Sequence, residues 1–158
     1  AMAEGVIRAL LPAARARNLD LGLEAPGGAV RIKGVDWLLR EALSNLVDNA
    51  IRYTAPGSQV TVRVQGGTRE ARVVVEDCGP GMSPEDIARA SVRFRRGAAG
   101  KNKPGAGLGL AIVGTIVEIH GGRLVLENRE SQTGMRAALV FTLKSFPDAA
   151  LRHKIAAH

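Results

Sequence analysis

The chain has 158 residues, 46% of them apolar and only 3% aromatic, so it can fill one core built mainly from Leu, Val, Ile and Ala. A formal charge of +7 and a pI near 10.5 point to anionic partners: nucleic acid, a membrane surface or a phosphorylated ligand. The single cysteine, Cys78, excludes an internal disulfide framework and fits a reducing compartment, and the longest uncharged apolar stretch, 14 residues from Pro104 to Val117, is too short to span a bilayer.

In chain order, Ala1-Met2-Ala3 reads as a cloning remnant, which makes the chain a piece of a longer protein with any membrane segment upstream. Val6 to Arg17 is weakly amphipathic around Pro12 and predicts a short helix. Asp20 to Ala25 and Ala29 to Gly34 both alternate polar and apolar residues around Pro26-Gly27-Gly28, which predicts a hairpin. A long helix is expected next, with Asp36 as N-cap and Leu39, Ala42, Leu43, Leu46, Val47 and Ala50 on one face, ending before Ala55-Pro56-Gly57.

Two β-branched runs, 59–65 and 69–76, predict a second hairpin through Gly66-Gly67-Thr68. Ser83-Pro84-Glu85-Asp86 carries an N-cap, a first-turn proline and two acids, announcing a short helix to about Ala90. Six basic residues and no acid follow between Arg89 and Lys103; then a helix from about Leu108 to Ile119 is stopped by Gly121-Gly122. Strands at 123–128 and 135–143 close the domain, expected to cover residues 4–145 ahead of a weakly ordered tail, 146–158. Without regular βαβ alternation the order argues for an α+β fold, a two-layer sandwich with one mixed or antiparallel sheet covered by helices on one face.

Chemistry concentrates in three places. On the long helix Glu41, Asn45, Asn49 and Arg52 recur at steps of four, four and three, a polar stripe within about 80° of arc opposite the apolar face. Two asparagines are poor helix formers and carry no surface charge, whereas a carboxamide oxygen suits Mg²⁺ shared with phosphate. Asp77 ends a strand and is followed by Gly79 and Gly81; an acceptor at the floor of a pocket would take a hydrogen bond from the 6-amino group of adenine, where guanine presents an acceptor of its own. GAGLGL, residues 105–110, follows the basic run and opens a helix whose backbone N–H groups can receive phosphate.

Taken in order, NLVDNAIRYT, EDCGPGM, VRFRRG and GAGLGLAIV with EIHGG resemble the N, G1, F and G2 boxes of the ATP-binding catalytic domain of bacterial sensor histidine kinases, over roughly residues 36–143. The resemblance implies a Bergerat-type sandwich that binds Mg-ATP and donates the γ-phosphoryl group to a histidine on an upstream dimerisation domain. It matches Asn49 to the magnesium asparagine, Asn45 to the other phosphate-facing asparagine, Arg52 to a phosphate-contacting base and Tyr53 to the residue beside adenine. Asp77 matches the adenine-reading aspartate, Gly79 and Gly81 the G1 glycines, and Gly105, Gly107 and Gly109, with Leu108 among them, the G2 segment. Arg96 falls where the family places an arginine near the terminal phosphate, and Arg93 to Pro104 reads as a lid over the phosphates.

Two positions depart from the pattern: Ser91 replaces the usual first phenylalanine of the F box, and Ala106 the usual hydroxyl residue of G2. Asn45 stands where topoisomerase-like hydrolases carry a water-activating glutamate, so slow hydrolysis is implied. No H-E-x-R-T-P-like acceptor pattern occurs, and His120 reads as a helix cap and Cys78 as a small buried hydrophobe. The family further implies a response regulator as partner, no nucleic acid, membrane association only through the missing part of the chain, and a place in the cytoplasmic portion of an inner-membrane sensor. An anti-sigma-type serine kinase and a nucleotide-binding module without catalysis stay open on the sequence.

Overall fold

The structure, a computed structural model, describes residues 1–96 and 108–143. Its elements are α1 (Met2–Ala16), β1 (Asp20–Glu24), α2 (Asp36–Tyr53), β2 (Gln59–Gly66), β3 (Glu70–Asp77), α3 (Pro84–Arg96), α4 (Leu108–Ile119), β4 (Gly122–Asn128) and β5 (Met135–Thr142). The five strands form one mixed sheet in the order β1-β2-β3-β5-β4; β1 pairs with β2 in parallel and every other pairing is antiparallel. This is the expected two-layer sandwich.

Alternation along the strands separates the two faces of the sheet. Val60, Val62, Val73, Val75, Leu139 and Phe141 face α1, α2 and α4 and join Leu43, Val47, Val113 and Val117 in the main core. Leu43 is wholly buried, so truncation to alanine there would cost about 2–5 kcal/mol. The other face carries Val74, Ala138 and Val140. Among the described residues no helix covers them; instead, arginines and glutamates on the same face pair around them. Arg63 binds Glu24 and Glu76, Arg136 binds Glu76, and Arg72 and Arg123 both reach Glu70. Aliphatic arginine stems can exclude water from small apolar residues while their charged ends remain wet.

The sequence expectations need correction in several places. Residues 29–34 are not a strand, and β1 takes β2 as its neighbour, 39 residues away in register from Asp20 to Gln59. The alternating apolar residues pack instead of pairing: Val30 lies against Gly66, and Ile32 against the main core. Val35, without a side-chain cap, occupies the N-cap of α2; Asp36 is the first helical residue and pairs with Arg40 one turn on, at 2.5 Å. The opening helix is longer than expected and runs through Pro12; Met2 and Ala3 lie in its first turn and Ala3 is buried. α3 continues past Ala90 to Arg96, since nothing from Ser91 to Arg96 breaks a helix and basic residues near a C-terminus complement the helix dipole. Residues 144–158, and with them the expected tail, lie outside the described residues.

Candidate functional site

A cavity of about 450 Å³ opens between α2, the helix-facing end of the sheet, the turn after β3, and α3. α2 contributes Leu46, Asn49, Ala50 and Tyr53; β3 contributes Val75 and Asp77; the turn contributes Pro80, Gly81 and Met82. Leu110, Leu126, Met135 and Ala137 complete a largely apolar wall, and Asp86, Arg89 and Ala90 stand on the α3 side. A concave, mostly apolar space with few polar groups is the usual form of a small-molecule site.

Asp77 is the polar group best fixed in it. The residue ends β3 on the helix-facing side, and its Oδ1 accepts two backbone N–H groups, Gly79 at 2.9 Å and Met135 at 3.1 Å. Both bonds fall on one oxygen, which leaves Oδ2 without a hydrogen bond among the described residues. Gly79 is tightly packed: a Cβ would stand 3.0 Å from the Tyr53 carbonyl oxygen and 3.1 Å from Asp77 Oδ1, so one of them would have to give way. Gly81 has φ +76°, a conformation that disfavours any side chain, and its Cβ would fall 2.7 Å from Asn128 Oδ1. Ser83 Oγ accepts the Asp86 N–H at 3.1 Å and donates to the Asp86 carboxylate at 2.9 Å, which caps α3 as the sequence suggested.

The asparagine stripe meets the start of α4. A Cβ on Gly109, the second residue of that helix, would sit 3.6 Å from Asn45 Oδ1 and 3.9 Å from the Asn49 carboxamide. Asn45 is oriented by its Nδ2, which donates to the Glu41 carbonyl at 3.0 Å and to Glu41 Oε1 at 3.2 Å. Its acceptor oxygen lies beside Gly109 in the first turn of α4, where the N–H groups of a helix have no intrahelical partner. Arg52 lies on the exposed side of α2, paired with Asp48 at 3.0 Å, and does not line the cavity. His120 caps as expected: Nδ1 is 2.7 Å from the Ile116 carbonyl, so Nε2 is the acceptor for the Val35 N–H at 3.0 Å, tying the end of α4 to the start of α2.

Of the sequence candidates, Asn49, Tyr53, Asp77 and Gly81 therefore line one cavity, with Asn45, Gly79 and Gly109 immediately behind or beside it. Leu108 opens α4 and Arg96 ends α3. Gly105, Gly107 and the greater part of the expected lid lie outside the described residues. Cys78 is half-buried and is not a plain apolar filler, since Arg129 Nη1 donates to its Sγ at 3.3 Å. Sequence reasoning missed the apolar walls from β4 and β5, because Leu126, Met135 and Ala137 reach the cavity through strand pairings between distant segments. It also missed Asn128 and Arg129, whose polar character just before a loop offered no more than a turn signal.

Comparison with known proteins agrees with this geometry. Residues 34–147 match the family described as histidine kinase-, DNA gyrase B- and HSP90-like ATPase. The chain is 37% identical to the sensor protein kinase PmrB of Pseudomonas aeruginosa over 148 residues, 94% of this chain and 30% of PmrB. Among solved structures, a mycobacterial sensor histidine kinase MprB superposes with TM-score 0.69 at 30% identity, covering 88% of this chain and 93% of that one. Full-length ShkA in complex with AMPPNP superposes with TM-score 0.74 at 26% identity, covering 92% of this chain and 30% of that one. The present sequence thus spans about a third of the PmrB length, and no helix among its described residues is long and apolar enough to cross a membrane. The chain belongs to the histidine kinase-, DNA gyrase B- and HSP90-like ATPase family, as a catalytic domain of the sensor histidine kinase kind.

Proposed function

We propose that this domain binds Mg-ATP in the cavity between α2 and the sheet and donates the γ-phosphoryl group to a histidine on an upstream dimerisation domain. The observation that carries the reading is the convergence of Asn49 and Tyr53 from α2 with Asp77 and Gly81 from the end of β3 and its turn on one apolar cavity. Asp77, with Oδ1 already engaged, offers Oδ2 to the amino group of adenine, and Tyr53 flanks the base. Asn45 and Asn49 face the phosphates together with the N-terminal N–H groups of α4, where Gly109 leaves room for close approach.

Among the described residues no group of three or more His, Cys, Asp or Glu side chains could hold a metal. That suits Mg²⁺ brought in with the nucleotide, held by one amide oxygen from Asn49, phosphate oxygens and water. Bound there, the ion would neutralise phosphate charge. Arg96 is assigned to the terminal phosphate, Arg52 to a phosphate it would reach only by leaving Asp48, and Gly105, Gly107 and Leu108 to the backbone that receives them. The reaction is then one of positioning and charge stabilisation, with the acceptor imidazole attacking in line. The glutamate of the stripe, Glu41, is hydrogen-bonded to Asn45, and an amide at position 45 cannot take a proton from water, so the bound nucleotide is held for transfer. A response regulator would receive the phosphoryl group from that histidine. The intact protein would be an inner-membrane sensor with this domain in the cytoplasm.

Incubation with γ-³²P-ATP tests the assignment. The chain alone should bind ATP yet stay unlabelled, and adding the upstream helical domain should produce an acid-labile label on that domain. Rapid hydrolysis by this chain alone, or an acid-stable serine label in an added protein, would overturn it in favour of an ATPase or a serine kinase.

A further inference from the structure

The turn that carries Gly79 and Gly81 is gripped at both ends by two consecutive residues that lie outside all four boxes. At its far end Asn128, the last residue of β4, makes a two-point bond to Met82: Oδ1 accepts the Met82 N–H at 2.9 Å, and Nδ2 donates to the Met82 carbonyl at 2.6 Å. The side-chain amide thus stands in for a neighbouring strand. At its near end Arg129 Nη1 donates to the Asp77 carbonyl at 3.1 Å and to Cys78 Sγ at 3.3 Å.

The same strand end reaches the cavity by two other routes. Leu126 shares the helix-facing side of β4 with Asn128 and lines the cavity with Met82. Asn128 is also the register partner of Met135, whose N–H goes to Asp77 Oδ1. Movement of Asn128 would therefore change the spacing between Met82 and Leu126 on one side of the cavity and Asp77 on the other. The fit at Gly81 is part of the arrangement, because a side chain there would collide with Asn128 Oδ1.

We propose that Asn128 is a positioning residue for the base: it touches no nucleotide itself but fixes Met82 as a wall of the pocket at the distance a flat adenine ring needs. The inference rests on the nucleotide reading above and goes beyond it by giving base affinity a determinant on β4. Asn128 is exposed, so its replacement leaves the core untouched.

Titration of Mg-ADP, adenosine and Mg-tripolyphosphate into the parent chain, Asn128→Ala and Asn128→Asp tests it, together with hydrogen exchange at the Met82 amide. In Asn128→Ala, ADP and adenosine should both weaken about five- to tenfold, the loss expected from two neutral hydrogen bonds. Tripolyphosphate affinity should be unchanged, and the Met82 amide should exchange faster without nucleotide. Asn128→Asp keeps the acceptor for the Met82 N–H but sets a carboxylate oxygen against the Met82 carbonyl, so it should lose at least as much base affinity as the alanine variant. Unchanged ADP affinity in Asn128→Ala overturns the inference while leaving the nucleotide reading intact. Equal losses for ADP and tripolyphosphate also overturn it, because they report general loosening. A parent that binds neither ADP nor adenosine overturns both readings.

Discussion

Asp77→Asn separates the bonds by which this carboxylate holds its turn from the adenine-reading role proposed for it. The amide oxygen of asparagine can keep both bonds that Oδ1 now accepts, from Gly79 at 2.9 Å and Met135 at 3.1 Å, so the turn and the start of β5 should hold their places. The change falls on the other atom, where Oδ2 becomes an NH₂ group. On the proposed reading, a position that would accept from the adenine amino group then presents a donor to a donor. Loss of a hydrogen bond to a charged group is worth about 1.5–3 kcal/mol, so nucleotide affinity should fall about 10- to 100-fold. Calorimetric titration with Mg-ATP and Mg-ADP should show equal losses, because the base is common to both. GTP should lose less than ATP, since the oxygen at its corresponding position can accept from the new NH₂. A defect confined to ATP would refute the reasoning, because it would place Asp77 beside phosphate or metal; an unchanged preference for ATP over GTP would remove it from base reading.

Asn49→Ala should abolish magnesium-dependent ATP binding with little change in unfolding temperature, since Asn49 is on the cavity side of α2 and not in the core; equal Mg-ATP affinity by calorimetry would sink the assignment. Thr54 is wholly buried and its hydroxyl makes no hydrogen bond among the described residues, so Thr54→Val should be neutral or stabilise the fold by about 1 kcal/mol in urea denaturation. Burial alone would push the Glu76 carboxyl up, but the hydrogen bonds and charges of Arg136 and Arg63 outweigh it and hold it below the ordinary carboxylate range. A depressed folded-state value gives stability that is complete above the unfolded value of about 4.5 and is lost as pH falls through the folded one. Denaturation from pH 7 down to about pH 2 should therefore show a shallower acid decline in Glu76→Gln than in the parent.

What could be read from the sequence divides along a physical line. The bounds of α4, β2, β3, β4 and β5 were legible to within a residue or so, because period, glycine stops and β-branched runs are local signals. The gathering of Asn45, Asn49 and Asp77 at or beside one cavity was legible because an amide stripe on a packed helix and an acid before two glycines are both unusual where nothing requires them. Partners in the sheet were not. Residues 29–34 have the alternation of a strand, yet β1 pairs with the distant β2 and Ile32 packs on the main core instead. For the same reason the cavity walls at Leu126, Met135 and Ala137 could not be assigned. Each is an ordinary inward-facing strand residue until β5 is placed between β3 and β4.

That placement bears on how the chain folds as it is made. β5 is the last of the described strands in sequence but an interior strand in space, bonded to β3 on one side and β4 on the other. Until residues 135–142 leave the ribosome, β3 has an open edge with its row of N–H and C=O groups unsatisfied, and β4 has no neighbour at all. An exposed edge of this kind, VVVE with a hydrophobic face, is a template for pairing with another nascent chain. The base pocket is subject to the same timing, since Asp77 does not receive its second N–H until Met135 arrives. On the reading proposed above, adenine nucleotide would stabilise the finished domain but gain no grip on a chain stalled short of β5.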